Sequence, residues 1–353
     1  MAIKITGIGS CIPKNSIKNA DFINRKFMNP DGSSIPDSNE LIIRKFKAIT
    51  GIEERRYADE NLTASDLAAI AAEKAIADSK IDPETLDYII VAQNFGDVKF
   101  RNTQSDAVPS LATRVKYKLQ IKNPSCVAYD VVFGCPGWLE GVIQAQAFIK
   151  AGMAKKCLVI GAETLSRVVD IHDRDSMIFS DGAGASIIEE VDEKDNGILA
   201  FESATYAREE AYFLTFEGSY NQDLKKETRY IKMNGRKIYN FALTHVPTAM
   251  KSCLEKSGVS IENLKKIFIH QANEKMDLAI CERFYKLFNK PVPEHIMPMS
   301  IAELGNSSVA TLPTLYDLVT NNQIENQHLE KGDVIIFASV GAGMNINALV
   351  YRY

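Results

Sequence analysis

At 353 residues the chain is too long for one small core and fits two domains or one large duplicated unit. Apolar residues make up 46% and charged residues 24%, with a net charge of −4, so no global basic field for nucleic acid or an anionic membrane surface is expected. The sequence contains no unbroken apolar run of about 18 residues, which argues against a membrane span.

Residues 2–10 alternate as a short strand, with Ile3, Ile5 and Ile8 apolar. No apolar leader precedes it, so no export signal is expected, and the cytoplasm with reduced thiols is the expected location. Gly7-Ile8-Gly9 lacks the third glycine of a dinucleotide fingerprint, and Pro13 follows where a helix should open, so a Rossmann site is not expected. Cys11, Cys126, Cys135, Cys157, Cys253 and Cys281 form no CxxC pair, and the five His residues form no HxxxH pair, so neither a disulfide framework nor a metal site is expected. Residues 15–60 read as short helices and loops, with a turn at Thr50-Gly51 leading into an edge strand. Thr63-Ala64-Ser65-Asp66 opens a helix that ends near Ser79-Lys80. Tyr88–Ala92 is a continuous apolar run, as in a buried parallel strand. Residues 94–125 are a polar insertion with a helix around Ser110–Lys118.

The stretch from Tyr129 to Val142 reads as a buried strand, a sharp glycine turn at Gly134 and the start of a helix. Cys135 sits at the turn, and Pro136 suits the first helical position, where no N–H is needed. A thiol there feels roughly half a positive charge and unpaired N–H groups, which favour the thiolate. On these residues alone, a nucleophile and a buried structural cysteine are both open readings. Strands follow at Cys157–Ala162 and, after the Gly-rich turn Asp181–Gly184, through Ile188. The charged stretch Glu189–Asn196 is the expected divide between an N-terminal half, 1–190, and a C-terminal half, 197–353.

The second half repeats the first. Ser79–Ala92 lies over Ser257–His270, and Cys157–Ile160 over Val334–Phe337, at one offset of about 178 residues. A duplicated α/β chain with a site between its halves follows. His270 then falls at the C-terminal end of a buried strand, where α/β proteins gather ligands. Asn306, in Gly305-Asn306-Ser307-Ser308, is the counterpart of the Cys135 elbow and should face the same cleft; the plain alternative is a helix N-cap. Ser339–Met344 is small and Gly-rich, so backbone N–H groups can approach a ligand as an oxyanion hole needs.

Cys135, His270-Gln271-Ala272-Asn273 and Gly305-Asn306-Ser307-Ser308, in that order, resemble the thiolase superfamily, and within it β-ketoacyl-ACP synthase III. The resemblance spans nearly the whole chain and includes Thr50–Arg55, Ser180–Ala185 and Met233–Tyr239. It implies a thiolase-like fold, two α/β halves forming a layered α-β-α-β-α core. It also implies a decarboxylating condensation of an acyl-thioester primer with malonyl-ACP. Cys135 would carry the acyl group, His270 and Asn306 would stabilise the enolate, and the N–H groups of Cys135 and Ala342 would hold the oxyanion. Arg174 matches an arginine beside the coenzyme A adenine, and Lys275 a basic residue that meets the carrier protein. The implied partners are acyl carrier protein, an acyl-CoA or acyl-ACP primer and a second copy of the chain, with no bound cofactor beyond the thioester carriers. Asn39–Arg44 lacks the tryptophan expected against the adenine, and Ala342 takes the middle of a usual Gly-Gly-Gly turn, so the primer can differ from acetyl-CoA. The alternatives are a secondary-metabolism relative, acting by head-to-head condensation or acyl transfer to a hydroxyl or amine, and a non-catalytic partner subunit.

Overall fold

The computed structural model describes residues 1–193, 196–224 and 227–353. The first half contains β1 (Ala2–Cys11), β2 (Asn15–Lys18), α1 (Asn39–Thr50), β3 (Glu54–Tyr57), α2 (Ala64–Ser79), β4 (Tyr88–Ala92), α3 (Leu111–Lys118), β5 (Val127–Val131), α4 (Gly137–Lys150), β6 (Lys156–Thr164) and β7 (Asp181–Val191). Its five-stranded sheet runs β1-β7-β6-β4-β5. β5, β4 and β6 are mutually parallel, while β7 is antiparallel to β6 and to β1. The second half contains β8 (Gly197–Thr205), β9 (Leu214–Gly218), β10 (Arg229–Met233), α5 (Gly235–Ser257), β11 (Leu264–Ile269), α6 (Glu274–Lys286), α7 (Ile301–Leu304), α8 (Thr311–Thr320), β12 (Val334–Gly341) and β13 (Asn345–Arg352).

The second sheet, β11-β12-β13-β8, repeats four of the five strands of the first in the same order. β11 and β12 are parallel and β13 is antiparallel to both its neighbours, as β4, β6 and β7 are in the first half. The counterpart of β5 is reduced to a single contact, Ile267 N–H to Ile296 O at 2.8 Å. The duplication inferred from the repeated segments is therefore a duplication of topology.

Five layers result. α2 and α3 cover one face of the first sheet, burying Ala68, Ala71, Ala72 and Ala75 against Ile89, Val91, Leu158 and Ile160. α5 and α6 cover the outer face of the second sheet in the same way. α4 and α8 lie between the sheets, where Ile90, Val159 and Ile188 meet Phe268, Phe337 and Tyr351. Trp138 of α4 is fully buried in this middle layer, edge-on to Phe337 at 5.7 Å, with its indole N–H donating to Ser186 Oγ at 3.1 Å. Its place is packing between the halves.

Local chemistry explains the elements. Thr63 and Asp66 form a capping box at the start of α2, and Lys80 closes the helix in the left-handed conformation. Gly7 and Gly9 let α2 lie directly on β1: a Cβ on Gly7 would fall 2.4 Å from Ala75 O, and one on Gly9 2.5 Å from Lys74 Cβ. That close packing is what the Gly-x-Gly serves here. One expectation is corrected. β5 is an edge strand with half-exposed residues, because nothing among the described residues pairs beyond it, and Val132 after it is 68% exposed. The charged stretch 189–196 overlaps the end of β7, which runs on to Val191, and β8 opens the second sheet at Gly197; residues 194 and 195 lie outside the described residues.

Candidate active site

Both elbows deliver their residues to one place. After β5 the chain turns at Gly134, whose φ of +65° suits glycine, and Cys135 and Pro136 lead into α4. Pro136 stands one position before the first helical residue. The Gly134 N–H donates to Asn94 Oδ1 at 3.1 Å, and the Gly137 N–H donates to Gly134 O at 3.0 Å. Across the cleft, the end of β12 presses on this elbow. A Cβ on Gly341 would lie 2.3 Å from Cys135 N, and one on Gly134 would lie 2.6 Å from Ala342 N. The two backbone N–H groups expected to form an oxyanion hole thus belong to loops in direct contact.

His270 follows β11, and its backbone N–H donates to Ala338 O of β12 at 2.9 Å. His270 is 4% exposed, and its Nδ1 has no hydrogen-bond partner among the described residues. Burial lowers its pKa to about 4, so the imidazole is neutral near pH 7. Asn306 is fixed through its backbone: its N–H donates to Ile178 O at 3.0 Å and its carbonyl accepts from Ser180 N–H at 2.8 Å. Its side-chain Oδ1 accepts from the Ser308 N–H at 2.7 Å, which turns the amide NH2 away from that bond. The N-cap expectation for Asn306 holds only for this local turn, because α8 itself starts at Thr311.

Cys135, His270, Asn306, Ser308 and Ala342 line one cavity of about 280 Å³. The rest of its wall is largely apolar, including Phe95, Leu165, Phe179, Leu214, Phe216 and Ile231. A second, outer cavity of about 450 Å³ shares Met233, Ile238, Ala272, Met276 and Asn306 with it, which makes the two a continuous approach. Lys45, Arg174 and Arg236 stand in the outer wall. Arg174 has a side chain 61% exposed, with its Nε 3.9 Å from Asp175 Oδ1. α1, whose first residues include Asn39–Arg44, contributes Ile42, Phe46 and Ile49 to the same wall. Lys275 is exposed on α6 and lines neither cavity.

The expected acidity of Cys135 is corrected. Burial pushes its thiol up to about 11, outweighing the Ser308 hydroxyl, which pulls it down from 3.3 Å. The helix N-terminus offers stabilisation, but the cavity removes the water that an exposed thiolate would use. Three polar neighbours escaped the sequence reading. Ser308 lay inside a quoted motif without a role, Asn94 opened the insertion, and Glu163 is a carboxyl group near the end of a buried apolar strand, 1% exposed. A charged residue in such a strand is the one signal that could have drawn attention. Among the described residues no cluster of His, Cys, Asp or Glu is arranged to hold a metal, and no helix is long and apolar enough to cross a membrane.

Residues 129–207 match the family 3-oxoacyl-(acyl-carrier-protein) synthase III, and residues 254–353 match its C-terminal region. β-Ketoacyl-(acyl-carrier-protein) synthase III 1 of Halalkalibacterium halodurans is 32% identical over 350 residues, covering 99% of this chain and 98% of that protein. The crystal structure of the synthase III from Aquifex aeolicus is 30% identical with a TM-score of 0.79, covering all of both chains. That from Thermus thermophilus is 29% identical with a TM-score of 0.82, covering 99% of each. The chain belongs to the β-ketoacyl-ACP synthase III family, the acyltransferases that carry out a condensation of fatty acid synthesis.

Proposed function

We propose that Cys135 takes the primer acyl group and that His270 and Asn306 activate malonyl-ACP. The observation that carries this reading is the meeting of Cys135, His270 and Asn306 in one cavity reached through an outer mouth that carries Arg174 and Arg236. In the first step Cys135 Sγ attacks the primer thioester. A new S–C bond forms, and the old thioester bond breaks. The thiol proton leaves with the departing carrier thiol. The N–H groups of Cys135 and Ala342 would hold the tetrahedral oxyanion. Malonyl-ACP then loses CO2. The enolate oxygen is held by neutral donors, the His270 ring and the Asn306 amide, which stabilise charge without giving up a proton. The enolate carbon attacks the acyl carbonyl, the bond to Sγ breaks, 3-oxoacyl-ACP leaves, and the released Cys135 thiolate takes a proton from water to restore the thiol. Loss of CO2 drives the step, so the scheme calls for no cofactor beyond coenzyme A and the ACP phosphopantetheine.

The apolar walls beside Cys135 support a primer longer than acetyl. The positions of Arg174 and Arg236 in the outer wall support contact with the phosphates or adenine of coenzyme A, and the exposure of Lys275 supports contact with the acidic surface of a carrier protein. The free edge of β5, with exposed Val127, Val132, Phe100 and Val108 on it and on the nearby insertion, supports a homodimer, because an open apolar strand edge invites a partner strand. The cytoplasm, where acyl carrier protein is supplied, is the proposed location. No observation favours the head-to-head, hydroxyl- or amine-acylating or non-catalytic readings.

Intact-protein mass spectrometry after incubation with a series of acyl-CoAs and acyl-ACPs tests the scheme. An acyl adduct present in the wild type, absent in Cys135→Ala and discharged by malonyl-ACP is the expected result. No adduct with any donor would overturn it.

A further inference from the structure

Behind the nucleophile lies a hydrogen-bonded chain that the scheme above does not use. Ser308 Oγ lies 3.3 Å from Cys135 Sγ. Asn94 Nδ2 lies 3.3 Å from Ser308 Oγ and 2.6 Å from Glu163 Oε1, while Asn94 Oδ1 accepts the Gly134 N–H at 3.1 Å. The elements are remote in sequence: the loop after β4, the end of β6 and the turn before α8.

The directions of these bonds are not free. The Gly134 N–H can only donate, so it fixes which end of the Asn94 amide is the oxygen. The Asn94 NH2 can only donate, so Glu163 and Ser308 Oγ must accept from it. One lone pair of Ser308 Oγ is then occupied, and its hydroxyl is free to donate to sulfur at 3.3 Å. Sγ is thereby offered a donor from the protein itself. A hydrogen bond to the charged form favours that form, and more so when it is buried.

We infer that Asn94, anchored by Glu163, sets Ser308 as a hydrogen-bond donor to Cys135 Sγ, so that these three are positioning residues for acylation of the thiol. The inference rests on the reading of Cys135 as acyl acceptor. As the thiol attacks, the Ser308 O–H stabilises the sulfur charge until the S–C bond has formed, and the thiol proton leaves with the departing carrier thiol. Asn94 also ties the network to the elbow, since the residue after Gly134 is the nucleophile itself. Glu163 serves best as a neutral acid, because a carboxylate there opposes charge on sulfur. Burial, with Asp181 on β7 nearby, raises its pKa to about 8 against the lowering effect of Asn94. The other titratable group facing the thiol is His270, which is neutral near pH 7.

The test is the rate of alkylation of Cys135 by iodoacetamide in the full chain, followed by intact mass from neutral to alkaline pH, with Cys135→Ala as control. Ser308→Ala removes the donor, and Asn94→Asp removes the N–H groups that orient it. Each is expected to shift the profile about one pH unit upward and to slow neutral-pH alkylation about tenfold, with the alkaline plateau retained. Glu163→Leu leaves Asn94 without its acceptor and should slow alkylation by the same order. Glu163→Gln offers an amide oxygen instead and should recover most of the rate. Ser308→Ala and Asn94→Asp profiles that superpose on the wild type, with unchanged melting, would overturn the inference. Should Ser308→Ala fail to fold, the contrast of Glu163→Leu with Glu163→Gln decides, since neither adds a charge beside the sulfur. Acyl-CoA labelling of the wild type is scored separately: an intact adduct with superposed profiles sinks the network, whereas separated profiles without any adduct sink the acyl-acceptor reading.

Discussion

A single methyl at Gly341 tests the oxyanion hole. Gly341 has φ of −162° and ψ of −165°, extended backbone that any residue adopts, so conformation does not demand glycine here. Contact does. In Gly341→Ala the new carbon would lie 2.3 Å from Cys135 N, 2.8 Å from Pro136 Cδ and 2.9 Å from Cys135 Cβ. Carbon pairs rest at about 3.5–4.0 Å, so the elbow must retreat by roughly 1 Å. All three nearest atoms belong to the nucleophile's own turn and none is the end of a flexible side chain, so the strain falls on the reacting group. A displacement of that size costs about 100-fold in rate where geometry is tight, and loss of one oxyanion donor costs about 100- to 1000-fold. Overpacking costs about 1–3 kcal/mol of stability, which a chain of this size should survive folded. The assay pairs turnover, with the best primer and malonyl-ACP, with a thermal melt. A folded variant slowed at least about 100-fold is expected. Wild-type turnover in Gly341→Ala would falsify the claim that these two loops form the hole.

Other outcomes follow from the same geometry. His270→Ala and Asn306→Ala should lose condensation by about 100- to 1000-fold and lose acyl labelling far less, because their donors act on the enolate; equal loss of both steps, read by adduct mass against product release, would refute that division. Burial lowers the His270 pKa to about 4 from 6.5, so as pH falls the unfolded chain takes up the proton first. The stability due to neutral His270 is present above about pH 6.5 and lost as pH drops toward 4, and His270→Asn should flatten that stretch of a pH–melting curve. Labelling by acyl-CoAs should strengthen by about fourfold per added methylene until the cavity beside Cys135 is full, at about 0.8 kcal/mol each; acetyl matching every longer primer would contradict it. Leu214→Trp should move the optimum to shorter chains, read by the same labelling series.

The sheets were legible because their strands are short apolar runs at a repeated offset, and repetition survives where single-strand patterns are ambiguous. His270 and Asn306 could be placed for the same reason: each sits where the duplication put the end of a strand or an elbow. The hairpin of β9 and β10 was not visible. Leu214–Gly218 and Arg229–Met233 are short and mixed in polarity, yet Leu214, Phe216 and Ile231 wall the inner cavity. β5 was misjudged as buried because an apolar-rich strand reads alike at a sheet's centre and at an edge awaiting a partner. Lys275 illustrates a further limit, since a solvated helix lysine and a carrier contact look identical in sequence and in a single chain.

The acidity of Cys135 was the least legible property, because it is a difference between opposing fields. The helix start is written in the chain at Gly134-Cys135-Pro136; the walls that exclude water come from Phe95, Phe179 and Phe216, far away in sequence. With the thiol held near 11, ionising it at pH 7 costs about 5 kcal/mol, at about 1.4 kcal/mol per unit. A turnover of about 10 per second leaves a barrier of roughly 16 kcal/mol, so ionisation takes up a third of it at most. The cost falls only on the acylation step. Once the thioester has formed, the sulfur is neutral, and the same dry walls shelter the acyl carbonyl and the enolate from water. A cavity that exposed the thiol enough to relax its pKa would admit water to the carbanion and quench it by protonation. Donors such as the Ser308 hydroxyl, brought by the protein itself, reduce the ionisation cost without opening the cavity.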